Sequence, residues 1–343
     1  MLGLWLILRV YDRPTIGNQI LAGLAIGLAI ASRYLMAALI PVLLATDVLV
    51  LWRQTSQREN PKTALLGAGA GVLAVAGAFV LTSPYVFLDF NTAWNNVTAQ
   101  ANSPQIGADG LSRGENFVWY LTDVIPSGLT GAVTILAAVG AALVVWRRRP
   151  KQILLLVLAG AFLVAISYSN KHWERWIVPI LPLFALFAAY TLDTIIGHLS
   201  ARLTLKPFAQ LGLLLLAVLL VAAQPAYDLV LHDIRNARPS TRILAREWML
   251  DNLPPGSRIK SESYTAPFLE NDHPFELSGK FTLATGEGWD HWFREGYQYQ
   301  VASSWQYERF FGRPDRSPVE IAFYETLFAE GHLVKQFEPS RTR

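Results

Sequence analysis

Cysteine is absent from the 343-residue chain, which excludes disulfides, thiolate nucleophiles and cysteine-based metal sites. No Walker phosphate loop and no His-Glu-x-x-His motif occurs, and the six histidines show no metal-ligand spacing. The sequence therefore predicts neither a P-loop nucleotide site nor a zinc-protease site, and it assigns no metal ligands. Charge is scarce as well, since only 16% of the residues are Asp, Glu, Lys or Arg.

Apolar residues are abundant instead, at 52% of the chain with 11 tryptophans and a mean hydropathy of +0.29. These values exceed the usual composition of soluble proteins. A membrane-spanning helix needs about 20 mostly apolar residues. Segments of this kind lie at 16–32, 35–52, 64–82, 128–146, 152–168, 176–196 and 208–226. We therefore expect a membrane protein, mainly α, with a multi-pass transmembrane helical bundle over residues 1–226.

The first residues, MLGLWLIL, are too few to span a membrane before Arg9 interrupts them. They also lack the charged region and cleavage site of a signal peptide. We expect them to be the end of a helix whose beginning is missing, so that the chain is a fragment or starts at a misassigned Met.

Charge divides the chain near Tyr227. Residues 1–226 hold 15 Lys/Arg and 9 Asp/Glu, whereas residues 227–343 hold 14 and 17. If loops alternate across the membrane, 11 of the 15 basic residues fall on one side, which the positive-inside rule makes cytoplasmic. The other side then holds a long polar loop at 83–127 and the soluble C-terminal domain.

Four basic residues remain on the outer side, against the insertion rule: Arg33, Arg113, Lys171 and Arg175. Arg33 lies in a short turn between two helices, where it is either a snorkelling interfacial residue or a phosphate clamp. Lys171, His172 and Arg175 can offer donors to an anion, with Glu174 orienting one of them. A helix predicted to start at Trp176 would add its positive end. The alternative is an interfacial anchor.

A further outer segment is LTSPYVFLDF at 81–90, which ends a helix. Tyr85 is typical of an interfacial aromatic residue. Asp89 has three interpretations: a base, a ligand of a substrate hydroxyl, or a polar loop residue. A loop as long as the one that follows is usually functional or disordered.

The C-terminal residues predict a small α/β domain on the outer face. Ser240 or Thr241 can cap a helix that ends at Leu253-Pro-Pro-Gly, and Arg258 to Tyr264 alternates as a strand does. The aromatic run at 289–311 fits a core or a sugar-stacking surface.

Four segments, GLAIGLAIASRY, SPYVFLD, ERWIVPILPLFALFAAY and TRILAREWMLDNLPPGSRIKSESY, follow one another in this order. The series resembles the GT-C superfamily of membrane glycosyltransferases, and most closely its bacterial protein-mannosyltransferase-like and aminoarabinose-transferase-like branch. The resemblance covers most of the chain after residue 16.

The resemblance implies transfer of a hexose or pentose from a polyprenyl-phosphate carrier to an acceptor on the periplasmic side of a bacterial inner membrane. By position, Arg33, Lys171, His172 and Arg175 would bind the carrier phosphate. Tyr85, Asp89 and Glu174 would line the substrate site, with Asp89 a weak candidate for a catalytic role. The donor is the lipid-linked sugar, a divalent metal is left open, and a nucleic acid partner is not expected. The acceptor is a lipid, a protein or a polysaccharide.

One departure from the family concerns the general base, which the family carries in its first outer loop. That loop is missing here, so the catalytic residue stays unassigned. The alternative function is a non-catalytic membrane protein of the same fold that binds lipid phosphate or assists a partner. A transporter is a third hypothesis, for which only Asp47 and Asp193 approach helix interiors, both near helix ends.

Overall fold

The computed structural model describes residues 1–58, 60–102, 105–108, 110–269 and 272–339. These residues form two compact units. Unit 1 consists of residues 1–104 and 108–225, and unit 2 consists of residues 105–107 and 226–343. Unit 1 is helical, whereas unit 2 combines helices with a small sheet.

Unit 1 begins with four helices: α1 (Leu2–Asp12), α2 (Ile16–Ser32), α3 (Leu39–Ser56) and α4 (Lys62–Thr82). Short helices follow: α5 (Tyr85–Leu88), α6 (Phe90–Asn102), α7 (Arg113–Trp119) and α8 (Ile125–Leu129). The last four are α9 (Gly131–Arg147), α10 (Pro150–Ser167), α11 (Leu181–Arg202) and α12 (Pro207–Asn236), which continues into the residues of unit 2.

Five helical stretches among the described residues are long and apolar enough to cross a membrane: Tyr34–Ser56, Lys62–Thr82, Pro150–Ser167, Glu174–Arg202 and Pro207–Asn252. A sixth would be the pair Arg113–Leu129 and Gly131–Arg147, if one span can contain their 120° bend. The segment predicted at 16–32 forms a shorter apolar helix. Each of the seven predicted segments is thus largely helical, but the one at 128–146 begins inside the bend.

The region predicted as a loop over 83–127 is mostly helical where it is described, as α5 to α8 and a π-helical turn at Tyr120–Val124. The polar composition of this region resembles that of a loop, and its helix signals are confined to a few residues at the helix ends. Ser112 and Glu115 form a capping box at the start of α7. A π-helical turn within a helix is rare and often marks a functional site.

Helices α2 and α4 run parallel and touch through glycine. A Cβ on Gly23 would lie 2.2 Å from the carbonyl oxygen of Gly71, and one on Gly27 would lie 2.5 Å from that of Val75. The two backbones therefore meet directly, as small residues permit in apolar helix pairs. Gly140 provides the same closeness between α9 and α11, where a Cβ would lie 2.0 Å from the Phe187 carbonyl oxygen.

The packing puts several helix ends at one end of unit 1. The start of α10 lies beside the start of α2, because Lys151 pairs with Asp12 at the end of α1, just before α2 begins. The 3-10 turn Tyr34–Ala38 packs against α10. Because α2 and α4 are parallel, the residues that follow α2, α4 and α10 lie at the same end of the unit. We call this end the 33/171 end, after Arg33 and Lys171.

Unit 2 contains α13 (Thr241–Asn252), α14 (His291–Arg294), α15 (Ser304–Phe311) and α16 (Pro318–Glu330) around a parallel sheet. The strands are β1 (Arg258–Glu262), β2 (Glu276–Lys280) and β3 (Tyr299–Val301), in the order β2-β1-β3. The predicted strand and the Ser240 cap are both confirmed, since Ser240 Oγ accepts from the Arg242 N–H at 3.3 Å.

Two apolar clusters hold unit 2 together. Met249, Leu253, Ile259 and Phe275 pack α13 on one side of the sheet. The other cluster is largely aromatic and consists of Leu283, Trp292, Phe310, Phe323 and Tyr324, with Ile106 packed against it. Most aromatic residues of the run at 289–311 are therefore buried or half-buried, and the exceptions are Phe293, Trp305 and Phe311, of which Trp305 is the most exposed at 76%.

Candidate functional site

The backbone of the segment from Ser169 to Trp176 is fixed by side chains of α7 and of the π-helical turn that follows it. The Asn116 side chain donates to the Ser169 carbonyl oxygen at 2.8 Å. The buried Tyr120 hydroxyl accepts from the Trp173 N–H and donates to the Trp173 carbonyl oxygen, both at 3.1 Å. A segment held at so many points presents its side chains in one arrangement.

Lys171 is the most unusual residue of this segment. It retains only 5% of its accessible surface, and its ammonium makes no hydrogen bond or ion pair to any described residue. A cation withdrawn from water without an acceptor is unfavourable, unless an anion supplies the missing charge. Lys171 therefore has the surroundings expected of an anion ligand.

The other residues predicted beside Lys171 are arranged differently. The His172 ring packs edge-to-face on Trp119, with the ring centroids 4.8 Å apart. The backbone N–H of His172 donates to the Ala108 carbonyl oxygen at 2.7 Å. Arg175 is exposed and lies 4.4 Å above the ring of Trp173, so a cation–π contact occupies it. Glu174 is exposed as well.

The helix predicted to begin at Trp176 begins later, at Leu181, which corrects the expectation that its positive end faces Lys171. Two 3-10 turns, Glu174–Trp176 and Val178–Ile180, precede it. Pro179 lacks an N–H and restricts the residue before it, which prevents a regular α-helix there. Pro182 sits in the first turn of α11, where a proline is tolerated.

Arg33, Tyr85 and Asp89 lie at the 33/171 end, where the backbone N–H of Asp89 donates to the Tyr85 carbonyl oxygen at 2.9 Å. Arg33 is half-buried at the end of α2, and Tyr85 is 77% exposed. The Asp89 carboxylate is exposed and accepts from the Thr92 N–H at 3.3 Å, which suffices as a cap for α6. Within the described residues, no ion pair joins any two of the seven predicted site residues.

A serine motif in the sequence proves structural. Gly110-Leu-Ser112-Arg-Gly114 has the spacing of a nucleophile elbow. That motif needs a strand before the serine and a helix after it. Here Ser112 follows no strand, and its Oγ accepts from the Glu115 N–H as an N-cap. Ser112 is therefore a helix cap. Among the described residues, no group of three or more His, Asp or Glu could hold a metal ion.

Asp47 is a polar residue whose position the sequence did not reveal. It was predicted near a helix end, but it is 6% exposed within α3 and accepts from the Gln19 side chain of α2 at 2.5 Å. The other Asp47 oxygen and the Gln19 oxygen have no hydrogen-bond partner among the described residues. The pair links α2 to α3 through an amide and a carboxylate. The sequence did not predict it, because the residue spacing within one helix does not indicate a partner in another helix.

Glu262 is the second polar residue that the sequence did not single out. It is 3% exposed at the end of β1, where it accepts from the Ser303 N–H at 2.7 Å, the Leu283 N–H at 3.1 Å and the Tyr324 hydroxyl. Burial raises the pKa of its carboxyl group, and these hydrogen bonds oppose the shift. Glu262 joins three chain segments of unit 2.

A cavity of about 210 Å³ lies between α13 and the sheet of unit 2. It is lined by residues such as Met249, Ile259, Phe268 and Thr265, none of which is titratable in the ordinary pH range. The lining therefore includes no acid or base that could activate the Ser261 or Thr265 hydroxyl, and the cavity is not a candidate for chemistry.

No family profile, curated protein or solved structure matches the chain. The resemblance to GT-C glycosyltransferases therefore remains a prediction from the sequence.

Proposed function

We propose that this chain is an integral membrane glycosyltransferase that uses a sugar carried on polyprenyl phosphate. The observation that carries the proposal is Lys171 at the 33/171 end, a nearly buried lysine that pairs with no carboxylate of the described residues. A polyprenyl monophosphate matches this end in two ways. Its phosphate supplies the negative charge that Lys171 lacks, and its chain is soluble in the apolar surroundings of the long helices.

In this proposal, Lys171 binds the carrier phosphate and stabilises the charge that develops as the sugar leaves. Arg33 approaches the same phosphate from the end of α2. Tyr120 and Asn116 act as positioning residues, since they fix the backbone on either side of Lys171. The sugar and the acceptor are not specified by these contacts.

A non-catalytic protein that binds lipid phosphate is the second candidate. The observation that favours it is Asp89, the only predicted acidic candidate for chemistry, whose carboxylate is exposed and caps α6. A phosphate can be bound by Lys171 without any base. Both candidate functions require binding of a polyprenyl phosphate, and only the glycosyltransferase also releases the sugar from it.

Binding of decaprenyl monophosphate to the full chain in nanodiscs tests the shared part. Replacement Lys171→Met is expected to weaken binding by roughly ten- to a hundredfold, because a hydrogen bond to a charged group contributes about 1.5–3 kcal/mol. The matched control is Lys62→Met, since Lys62 is exposed at the start of α4. The control should bind as the wild type does.

Equal binding by the wild type and Lys171→Met, or no binding by either, would contradict the phosphate site. A second measurement separates the two candidates. Polyprenyl-phosphate-linked sugars are incubated with the chain, and release of free polyprenyl phosphate is followed. Release that Lys171→Met abolishes supports the transferase, whereas tight binding without release supports the non-catalytic protein.

A further inference from the structure

The carboxyl ends of the strands in unit 2 meet at one edge of the sheet. Strand β1 is central, with β2 on one side and β3 on the other, and all three are parallel. The chain therefore adds β2 on one side of β1 and then crosses over to add β3 on the other side. In open parallel sheets, ligands bind outside the carboxyl ends of the strands at such a change of direction.

Three exposed aromatic rings lie just beyond these strand ends, and we call them the aromatic platform: Tyr264, Phe281 and Trp305. Tyr264 follows β1, Phe281 follows β2 and Trp305 follows β3. Their exposed fractions are 44%, 57% and 76%, whereas the rings of the aromatic cluster, Trp292, Phe310, Phe323 and Tyr324, are buried. The rings of Tyr264 and Trp305 lie 5.9 Å apart. Exposed aromatic groups gathered at one place indicate an interaction surface.

Arg309 of α15 occupies the centre of the aromatic platform. Its guanidinium carbon lies 5.5 Å from the ring centre of Tyr264 and 5.6 Å from that of Phe281. Its Nε and Nη2 donate to the Trp305 carbonyl oxygen, and its Nη1 has no hydrogen-bond partner among the described residues. These bonds orient the guanidinium among the rings and leave the N–H groups of Nη1 available to a ligand.

The aromatic platform is held in place from beneath by Glu262. Its carboxylate binds the N–H groups of Leu283 and Ser303, which lie two residues from Phe281 and Trp305 respectively. Tyr264 adopts φ = +66°, which is unfavourable for an aromatic residue. A strained exposed ring on a rigid support is typical of a functional site.

We propose that the aromatic platform and Arg309 bind an oligosaccharide. A pyranose ring has an apolar C–H face that stacks on an aromatic ring, and a rim of hydroxyls that accept from a guanidinium. A purely hydrocarbon ligand would cover Arg309 without satisfying its donors. A nucleic acid would require a row of cations, whereas Arg309 alone contacts these rings among the cations of the described residues. The proposal goes beyond the transfer reaction, since it needs binding alone.

The test uses the full chain in nanodiscs and neutral hexasaccharides of glucose, mannose and N-acetylglucosamine, with binding measured by saturation-transfer NMR and calorimetry. At least one hexasaccharide is expected to bind. Replacement Trp305→Ala should weaken that binding by roughly tenfold, because it removes one stacking ring, while Trp305→Phe retains most of it. The control is Phe293→Ala, which removes an exposed ring of α14 outside the platform.

Absence of binding by all three hexasaccharides would overturn the proposal, as would equal affinities of the wild type and Trp305→Ala. A lipid surface is the competing occupant. Because the chain has no cysteine, Trp305→Cys allows one spin label to be attached at the platform. A label in water that becomes protected by the hexasaccharide supports the proposal, and a label in contact with acyl chains overturns it. Neither result depends on polyprenyl phosphate.

Discussion

Replacement Gly23→Ala is expected to separate α2 from α4 and to destabilise unit 1. The added Cβ would lie 2.2 Å from the Gly71 carbonyl oxygen and 2.8 Å from the Ala74 Cβ. The first of these atoms belongs to the backbone, so no side chain can rotate away and the helices must move. Overpacking of this kind costs about 1–3 kcal/mol or more. The measurement is the midpoint of unfolding of the full chain in a mixed-detergent titration.

Two glycines of the same helices serve as matched controls. Gly17 in α2 and Gly77 in α4 have no atom within 4 Å of an added Cβ. Alanine at either position should leave the midpoint unchanged or raise it slightly, because alanine favours the helix by about 0.8–1.0 kcal/mol over glycine. If Gly23→Ala has the same unfolding midpoint as Gly17→Ala, the backbones of α2 and α4 do not meet directly.

Replacement Glu262→Ala is expected to open the carboxyl edge of the sheet in unit 2. Two backbone N–H groups and the Tyr324 hydroxyl would lose their acceptor in a buried position. Each unsatisfied group costs about 1–3 kcal/mol, although such effects are not additive. Tyr324 can still bind Thr282, at 2.8 Å, so the main loss falls on Leu283 and Ser303. Faster hydrogen exchange at residues 281–285 and 301–307 would show it.

The matched control is Glu276→Ala, because Glu276 is exposed and its ion pair with Arg258, at 3.3 Å, lies at the surface. Such a pair contributes about 0–1 kcal/mol. Its removal should therefore leave exchange near β3 unchanged. If Glu262→Ala behaves like Glu276→Ala, the carboxylate does not hold the three segments together.

Glu262 also predicts a pH dependence of the stability of unit 2. Burial raises its pKa above the value of 4.5 in an unfolded chain. The native state then keeps the proton to higher pH than the unfolded state does. The contribution of Glu262 is thus most favourable below pH 4.5 and is lost as the pH rises through the native pKa. Replacement Glu262→Gln should remove this component from the pH profile of exchange at residues 301–307, and an identical profile would contradict it.

The sequence was sufficient for the helical segments and the first strand, because both depend on local patterns. Apolar runs marked α3, α4, α10 and α11, and alternation marked β1. The helices between 83 and 127 were missed because the polar composition of this region is typical of a loop. The start of α11 was misplaced because the effect of Pro179 on the preceding turn outweighs the apolar run around it.

The candidate site was only partly readable. The sequence singled out Lys171 by its position on the side where basic residues are scarce, but it gave no sign that Lys171 is nearly buried whereas Arg175 contacts Trp173. Burial and partners depend on which helices meet. The same reason explains why Asp47 and Glu262 were overlooked, since Gln19 lies 28 residues from Asp47 and Tyr324 lies 62 from Glu262.

The parallel contact between α2 and α4 has a consequence for the order in which the chain assembles. Since α3 must return between them, α2 cannot reach its partner until the ribosome has released residues up to Gly71 and Val75. During that interval α4 does not cover the glycine face of α2, while α1 and the turn Tyr34–Ala38 already pack against α2. Early assembly of unit 1 therefore waits on α4, and a pause in translation before α4 emerges would prolong a vulnerable intermediate.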